Sequence, residues 1–347
     1  METSKLFQPT RRQVIAGGAA SLGLLAAGCG SSATGGASGK GLRLFMVPKW
    51  TTLPYFESCK QGAQKAANEL GDTLIYTGPS TPDPEQQVAS LQNVLNERPD
   101  AILLSAIEPN NVAPVLKRAM ARGTVVVTYD ADSAPDARKL FCNQLSYQVA
   151  ATSYLDAALM NNSAGGKCAF MAATPTTVNH MQQIAHMKSA MATIPKYKVF
   201  TPGNTYFVQD DATKSYNTMV DIMQSDPSVK FLLSGSAVSA PAAAHAIEAT
   251  GHAGKVWATG AALPSLIKQY LQDGSEKAFV LWDTVNLGYM TAYAAHLIKT
   301  GKLKVSQGAT FKAGNLGTFT IGAQNTANYD RPIIFTKQNI AQYTYIG

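Results

Sequence analysis

The chain reads as an α/β protein built from two doubly wound parallel-sheet lobes. Short β-branched runs alternate with amphipathic helical patterns of 10–15 residues, and that alternation occurs twice, with a boundary near residue 145. Hydrophobic residues make up 46% of the chain and charged residues 15%, a globular balance. About 300 residues belong to the folded part, more than one core comfortably holds.

The first lobe opens with a strand at Leu42-Arg43-Leu44-Phe45-Met46-Val47. Pro54 to Leu70 is helical and stops at Gly71, a residue free to take the left-handed turn that ends a helix. Thr73 to Tyr76 is a strand. Pro84 to Asn96 is helical, with Val88, Leu91 and Leu95 on one face. Ala101 to Leu104 is a strand, Val112 to Ala121 a helix, and Thr124 to Thr128 a strand. The second lobe has strand-like runs at Cys168–Met171, Val199-Phe200, Lys230–Leu233, Val256–Ala258 and Ala278–Leu281, and ends in a helix from Leu287 to Ile298. The segment after 300 is rich in Gly, Asn and Thr and reads as a return tail with short strands. Residues 42–145 thus form one lobe and 146–285 the other, with 286–347 returning to be shared between them.

Ahead of the lobes lies an export signal. Arg11 and Arg12 precede a small, apolar segment from Val14 to Ala27, which is shorter than the roughly 20 residues a membrane span needs. Leu25-Ala26-Ala27-Gly28-Cys29 resembles a lipobox, so residues 1–28 read as a signal peptide and Cys29 as the lipidated N-terminus. Arg11-Arg12 suits either the Sec or the twin-arginine route. Gly30 to Gly41 is nearly all Gly, Ser, Ala and Thr and reads as a flexible tether, so 29–41 is anchor and linker. The expected place is the periplasm or the outer face of the cell membrane.

Formal charge is +7, and Lys5, Arg11 and Arg12 in the signal supply part of it. The excess is dispersed, with no basic stripe or helix-turn-helix pattern, which argues against nucleic acid as a partner. Cys59, Cys142 and Cys168 are widely spaced and show no CxxC pattern, which argues against zinc. No metal and no cofactor is expected.

In open parallel sheets, ligands bind beyond the carboxyl ends of the strands. That rule selects Lys49 and Trp50 after the first strand, and Asp130 and Asp132 after the fourth. In the second lobe it selects Asn179 and His180, Ser236 and Ala237, Gly260, and Trp282 with Asp283. Tyr55 and Phe56 add aromatic surface. Carboxylates accept hydrogen bonds from sugar hydroxyls, Lys and Asn donate, and aromatic faces cover C–H surface, so the mixture suits a polyhydroxylated ligand. Blander roles stand beside these. Lys49 reads also as a solvated lysine, Asp130 and Asp132 as turn caps, Trp282 as core; Trp257, in mid-strand, reads as core.

Catalytic patterns are missing. There is no G-x-S-x-G elbow, no P-loop and no G-x-G-x-x-G after a strand. His180 and His186 face different sides of a helix, and His245 and His252 share a face without a Cys or Asp companion. Asp130 and Asp132, on one side of a strand, lack a positioned nucleophile. No catalytic residue is expected.

At this point the chain resembles a family. The stretches VPKWTTLPYFESCKQGAQKAANELG, YTGPSTPDPEQQVASLQNVL, PDAILLSAIEPNNVAPVLKRAMARG, VVTYDADSAPDARKLFCNQ, DDATKS, SAPAAAHAIEATG, LWDTVNLGYMTAYAAHLI, LGTFTIG and IIFTKQNIAQY are similar to the type I periplasmic solute-binding proteins of ABC importers. The likeness is strongest to the branch of rhamnose and autoinducer-2 binders. The resemblance implies two lobes joined by three crossings, a small hydrophilic ligand between them, and a monomer that serves a permease and its ATPase. The ligand contacts of the autoinducer-2 binders correspond here to Lys49, Asp130, the Asn179-His180 pair, Gly235 and Ala237. Lys49, Asp130 and Ala237 match. The pair departs from the Asp-Gln of those proteins, and Gly235 from their Pro. The implied ligand is a sugar or sugar-derived polyol, with an autoinducer-2 receptor or the binding partner of a membrane sensor as the alternatives.

Overall fold

The computed structural model describes residues 41–346. Its first sheet has six strands. β1 (Arg43–Val47), β2 (Thr73–Tyr76), β3 (Ala101–Leu104), β4 (Val125–Tyr129) and β5 (Leu140–Asn143) are joined by β13 (Thr326–Asn328), in the order β13-β5-β4-β3-β1-β2, and all pair in parallel. The second sheet holds β6 (Gly166–Ala172), β7 (Phe200–Phe207), β8 (Val229–Ser234) and β9 (Trp257–Gly260), in the order β7-β6-β8-β9. A bridge between Ala261 and Val280 continues it to β10 (Phe279–Trp282), which pairs antiparallel with β14 (Pro332–Phe335). Within each lobe the first five strands therefore share the spatial order 2-1-3-4-5, the doubly wound arrangement whose switch point lies between strands 1 and 3.

Both faces of the first sheet are covered. Leu44 and Met46 of β1 belong to one buried cluster, while Phe45 and Val47 belong to another. The second cluster lies under α2 (Pro84–Asn96) and α3 (Pro109–Ala121), through Leu91, Leu95, Val112 and Leu116. The first contains residues of α1 (Pro54–Leu70) and α9 (Thr284–Lys299), such as Phe56, Ala63 and Leu287. Those two helices meet backbone to backbone. A Cβ on Gly62 would stand 1.7 Å from the Val285 carbonyl oxygen, and one on Gly288 would stand 1.8 Å from that of Cys59.

Local signals explain most boundaries. Gly71 takes φ 73° and its N–H bonds back to the α1 carbonyls. Asp83 caps α2 by accepting from the amides of Glu85 and Gln86. Several elements differ from expectation. α3 starts at Pro109 rather than Val112, because proline fits the first helical turn. A fifth strand, Leu140–Asn143, completes the first lobe. β7 runs for 8 residues instead of two, and Pro202 sits within it because it is an edge strand. His245 lies in α7 (Ser239–Ala249), but His252 lies beyond its end, past Gly251 at φ 72°, so the two share no helix face.

The backbone passes between the sheets three times. The crossings lie at Gln144–Ser146, at Asp283, and at Tyr329–Arg331, and the first and third are stitched together. Tyr329 N donates to Asn143 O at 2.8 Å, Asp330 N to Gln144 O at 3.0 Å, and Ser146 N to the Asp330 carboxylate at 2.5 Å. The last crossing carries 332–346 to the second lobe, where β14 lies on β10, so only 284–328 returns to the first.

Glu276 is an anomaly in the second lobe. It is 1% exposed, and Ala258 N donates to its Oε1 at 2.8 Å while Oε2 has no partner. Burial drives its pKa well above the ordinary carboxylate value. The folded state therefore binds the proton more tightly than the unfolded chain, and the stability this group contributes falls as pH rises above about 4.5. Glu276→Gln keeps the acceptor and removes the charge. Its melting temperature should exceed that of the wild type by a margin that grows from pH 4.5 to 8; a margin that shrinks with pH would contradict this.

A cavity between the lobes

The carboxyl ends of both sheets face a common small cavity, the place where open parallel sheets bind their ligands. Asp130 is its centre of organisation. It follows β4 at φ 59°, a left-handed conformation that Asp tolerates better than most residues. Tyr55 Oη donates to its Oδ1 at 3.1 Å, Ser105 Oγ to Oδ2 at 2.7 Å, and Lys49 Nζ lies 3.3 Å from Oδ2. Lys49 and Asp130 are both buried, so their charges are largely shielded from water.

The ends of β1 and β3 are themselves held by Gln87 of α2. Its Nε2 donates to Pro48 O and Ser105 O at 2.9 and 2.8 Å, and its Oε1 accepts from Ile107 N at 2.9 Å. Sequence reading passed over Gln87 and Ser105. The available signal was a polar residue on the apolar face of α2, in line with Leu91.

Aromatic rings wall the cavity edge to face. Phe56 meets Trp50 at 5.9 Å and Tyr55 at 5.1 Å between ring centroids, and Tyr55 meets Trp282 at 6.0 Å. Trp282 Nε1 donates to Tyr55 Oη at 3.0 Å. One chain of hydrogen bonds thus runs from the last residue of β10, through α1, to Asp130. Burial, and then the neighbouring Asp130 charge, push the Tyr55 phenol well above its usual pKa, so it stays a donor.

The second lobe contributes Asn179 and His180 from the first turn of α5 (Val178–Thr193), and Gly235, Ser236 and Ala237 after β8. Ala173 N donates to His180 Nδ1 at 3.2 Å. That leaves Nε2 to carry the proton of the neutral ring. Burial lowers the His180 pKa below its usual value. The Ser236 hydroxyl also caps α7, accepting from Val238 N and Ser239 N. Asn179 Oδ1 is buried without a partner. Gln183, one turn further on, has neither end of its amide paired, and its Oε1 fills the space a Cβ on Gly235 would need.

Three selected residues lie outside the cavity lining. Asp132 is held by Arg138, whose Nε and Nη2 each donate at 2.7 Å, while Arg138 Nη1 reaches the Gln324 carbonyl ahead of β13. Its role is to tie the returning strand to the first lobe. Asp283 sits at the second crossing, where it caps α9 through Asn286 N and accepts from Tyr345 Oη at 3.0 Å. Gly260 is backbone-packed at φ 130°, where a Cβ would stand 1.9 Å from Ser234 O, and Ala261 lines the cavity instead. Trp257 is half-buried and stacks on Phe231. Cys59, Cys142 and Cys168 are buried free thiols, and Cys29 lies outside the described residues. Thr176 Oγ1 of the second lobe also donates to Glu108 Oε1 of the first at 2.7 Å, an exposed contact between the lobes.

Known proteins share this architecture. A family model described as a periplasmic binding protein domain matches residues 44–303. A D-ribose/D-allose-binding protein of Pseudomonas aeruginosa is 27% identical over 245 residues, 67% of this chain and 74% of its own. The crystal structure of a sugar ABC transporter protein from Actinomyces odontolyticus is 32% identical with a TM-score of 0.73, covering 87% of this chain and 97% of the other. An ABC transporter solute-binding protein from Clostridium phytofermentas, solved with bound L-rhamnose, is 24% identical with a TM-score of 0.82, covering 88% and 99%. With most of both sheets and every residue that lines the cavity inside the matched domain, the chain belongs to the periplasmic binding protein family.

Proposed function

We propose that this protein is an exported, lipid-anchored receptor that captures a sugar or sugar-derived polyol and delivers it to an ABC transporter permease. The observation that carries this reading is the composition of the enclosed cavity. A buried Lys49–Asp130 pair and an unpaired Asn179 amide oxygen face a space walled by Trp50, Phe56 and Trp282. Hydroxyls satisfy such polar groups, and aromatic rings cover the C–H face of a sugar. The ligand sites proposed from the first lobe are Lys49, Trp50, Tyr55, Phe56 and Asp130, and from the second Asn179, His180, Ser236, Ala237 and Trp282. Contacts from both sides favour the closed form, so binding and lobe closure are coupled. The names of the relatives, which include sugar-binding and sugar-transporter proteins, support this reading.

A panel of D-ribose, D-allose, L-rhamnose, D-glucose and autoinducer-2 tests it by thermal shift and calorimetry. At a hundredfold excess over Kd, a true ligand adds about 2.7 kcal/mol, a rise of roughly 5–10 °C. Absence of any stabilisation across the panel would sink the sugar reading. For the anchor, metabolic labelling with a fatty acid should mark the wild type and not Cys29→Ala.

A further inference from the structure

The turn between β7 and α6 (Ala212–Ser225) carries two adjacent carboxylates with different fates. Asp211 is committed, since its Oδ1 accepts from Lys214 N at 2.6 Å and caps α6. Asp210 lines the cavity, and its Oδ1 is buried without a hydrogen-bond partner. The backbone that aims it is strained. Gln209 and Asp210 both take left-handed conformations, at φ 57° and 53°, which L-residues adopt rarely. The turn is pinned to the end of β6 by Val208 N to Ala172 O at 3.0 Å and Gln209 N to Ala173 O at 2.8 Å, and Lys214 Nζ holds the Gln209 side chain at 2.7 Å. Ala173 is the residue that also fixes the His180 ring, so one strand end positions both groups.

We propose that Asp210 is a specificity-determining ligand residue of the second lobe, accepting hydrogen bonds from hydroxyls of an uncharged polyol and rejecting anionic sugars. It answers Asp130 from the opposite side of the cavity. The inference rests on the sugar reading of that cavity. Its physical basis is a charge count. Lys49 is the one Lys or Arg lining the cavity among the described residues, and it is already paired with Asp130. Burial disfavours the charged form of His180, although the neighbouring Asp210 charge acts in the opposite direction. A uronate or sugar phosphate would bring a second unpaired negative charge beside Asp210 in a shielded space, whereas a neutral polyol supplies the donors its carboxylate lacks.

The test is calorimetry of wild type and Asp210→Asn against the neutral panel above and against D-glucuronate. The neutral sugar that binds wild type should bind Asp210→Asn about 10–100-fold more weakly, the scale of a lost charged hydrogen bond. The ratio of neutral to glucuronate affinity should also narrow in the variant. Circular dichroism of Asp210→Asn checks that the fold is kept, and Asp211→Asn, which alters the cap and not the cavity, should bind as wild type. Wild-type binding with unchanged affinity in Asp210→Asn overturns the role of Asp210 alone. A wild type that binds glucuronate as well as a neutral sugar overturns the charge argument. A wild type that binds no member of the panel overturns the sugar reading, and this inference with it.

Discussion

Asp130→Asn is expected to abolish ligand-induced stabilisation. The carboxylate lines the cavity, accepts from Tyr55 and Ser105 and lies beside the Lys49 ammonium. The amide keeps the shape and, like Asp, tolerates the positive φ at this position. It removes the charge that pairs Lys49 and the charged acceptor offered to ligand. Hydrogen bonds to charged groups are worth about 1.5–3 kcal/mol each. Losing two lowers affinity by at least about a hundredfold, enough to erase the thermal shift at ordinary ligand concentrations. A second effect falls on the apo protein. Breaking a buried ion pair strands its partner, at a cost of about 3–5 kcal/mol. Asp130→Ala adds backbone strain at φ 59° to that loss, so the asparagine is the cleaner variant. A ligand-induced shift in Asp130→Asn equal to that of wild type would remove Asp130 from the site.

Gly288→Ala is expected to destabilise the fold strongly without touching a ligand. Alanine is the better helix former by about 1 kcal/mol. That gain is outweighed here, because the new Cβ would stand 1.8 Å from the Cys59 carbonyl oxygen and 2.7 Å from its carbon. Both are backbone atoms of α1, so no side chain can swing aside. Relief requires α9 and α1 to separate, which opens the packing around Phe56 and Leu287. Overpacking of this kind costs about 1–3 kcal/mol and more when rigid elements must move. A fall in melting temperature of roughly 5–10 °C follows, seen by calorimetry. A variant that melts with the wild type would mean the two helices are not in contact at Gly288.

Much of the fold was legible because its signals are local. The bounds of α1, α2 and β2 follow from Pro54, Gly71, Pro84 and short β-branched runs. Lys49 and Asp130 were legible for a topological reason, since strand ends in doubly wound sheets converge on one crevice. What escaped depends on distant chain. Asp132 looks like a second cleft carboxylate until Arg138, itself bonded to the Gln324 carbonyl, is seen to claim it. Asp283 looks like a strand-end ligand group, yet the crossing places it under Tyr345. Asp210 and Asp211 are alike in sequence, and only the cap on α6 tells which is free. Gln183 and Gln87 are polar residues inside helical faces, whose partners or lack of them no periodicity reveals.

The three crossings have a consequence for synthesis. The first sheet closes only when β13, at Thr326–Asn328, docks on β5, and the second only when β14, at Pro332–Phe335, docks on β10. Translation runs from the N-terminus, so neither lobe has its full set of strands until residues 326–335 have left the ribosome. The β13–β5 pairing also joins the strands most distant in sequence, and closing so long a loop slows folding. A nascent chain held at residue 300 would carry two unfinished sheets, with the β5 and β10 edges both open to aggregation. The topology that joins two lobes around one cavity thus delays their completion until the third crossing has been made.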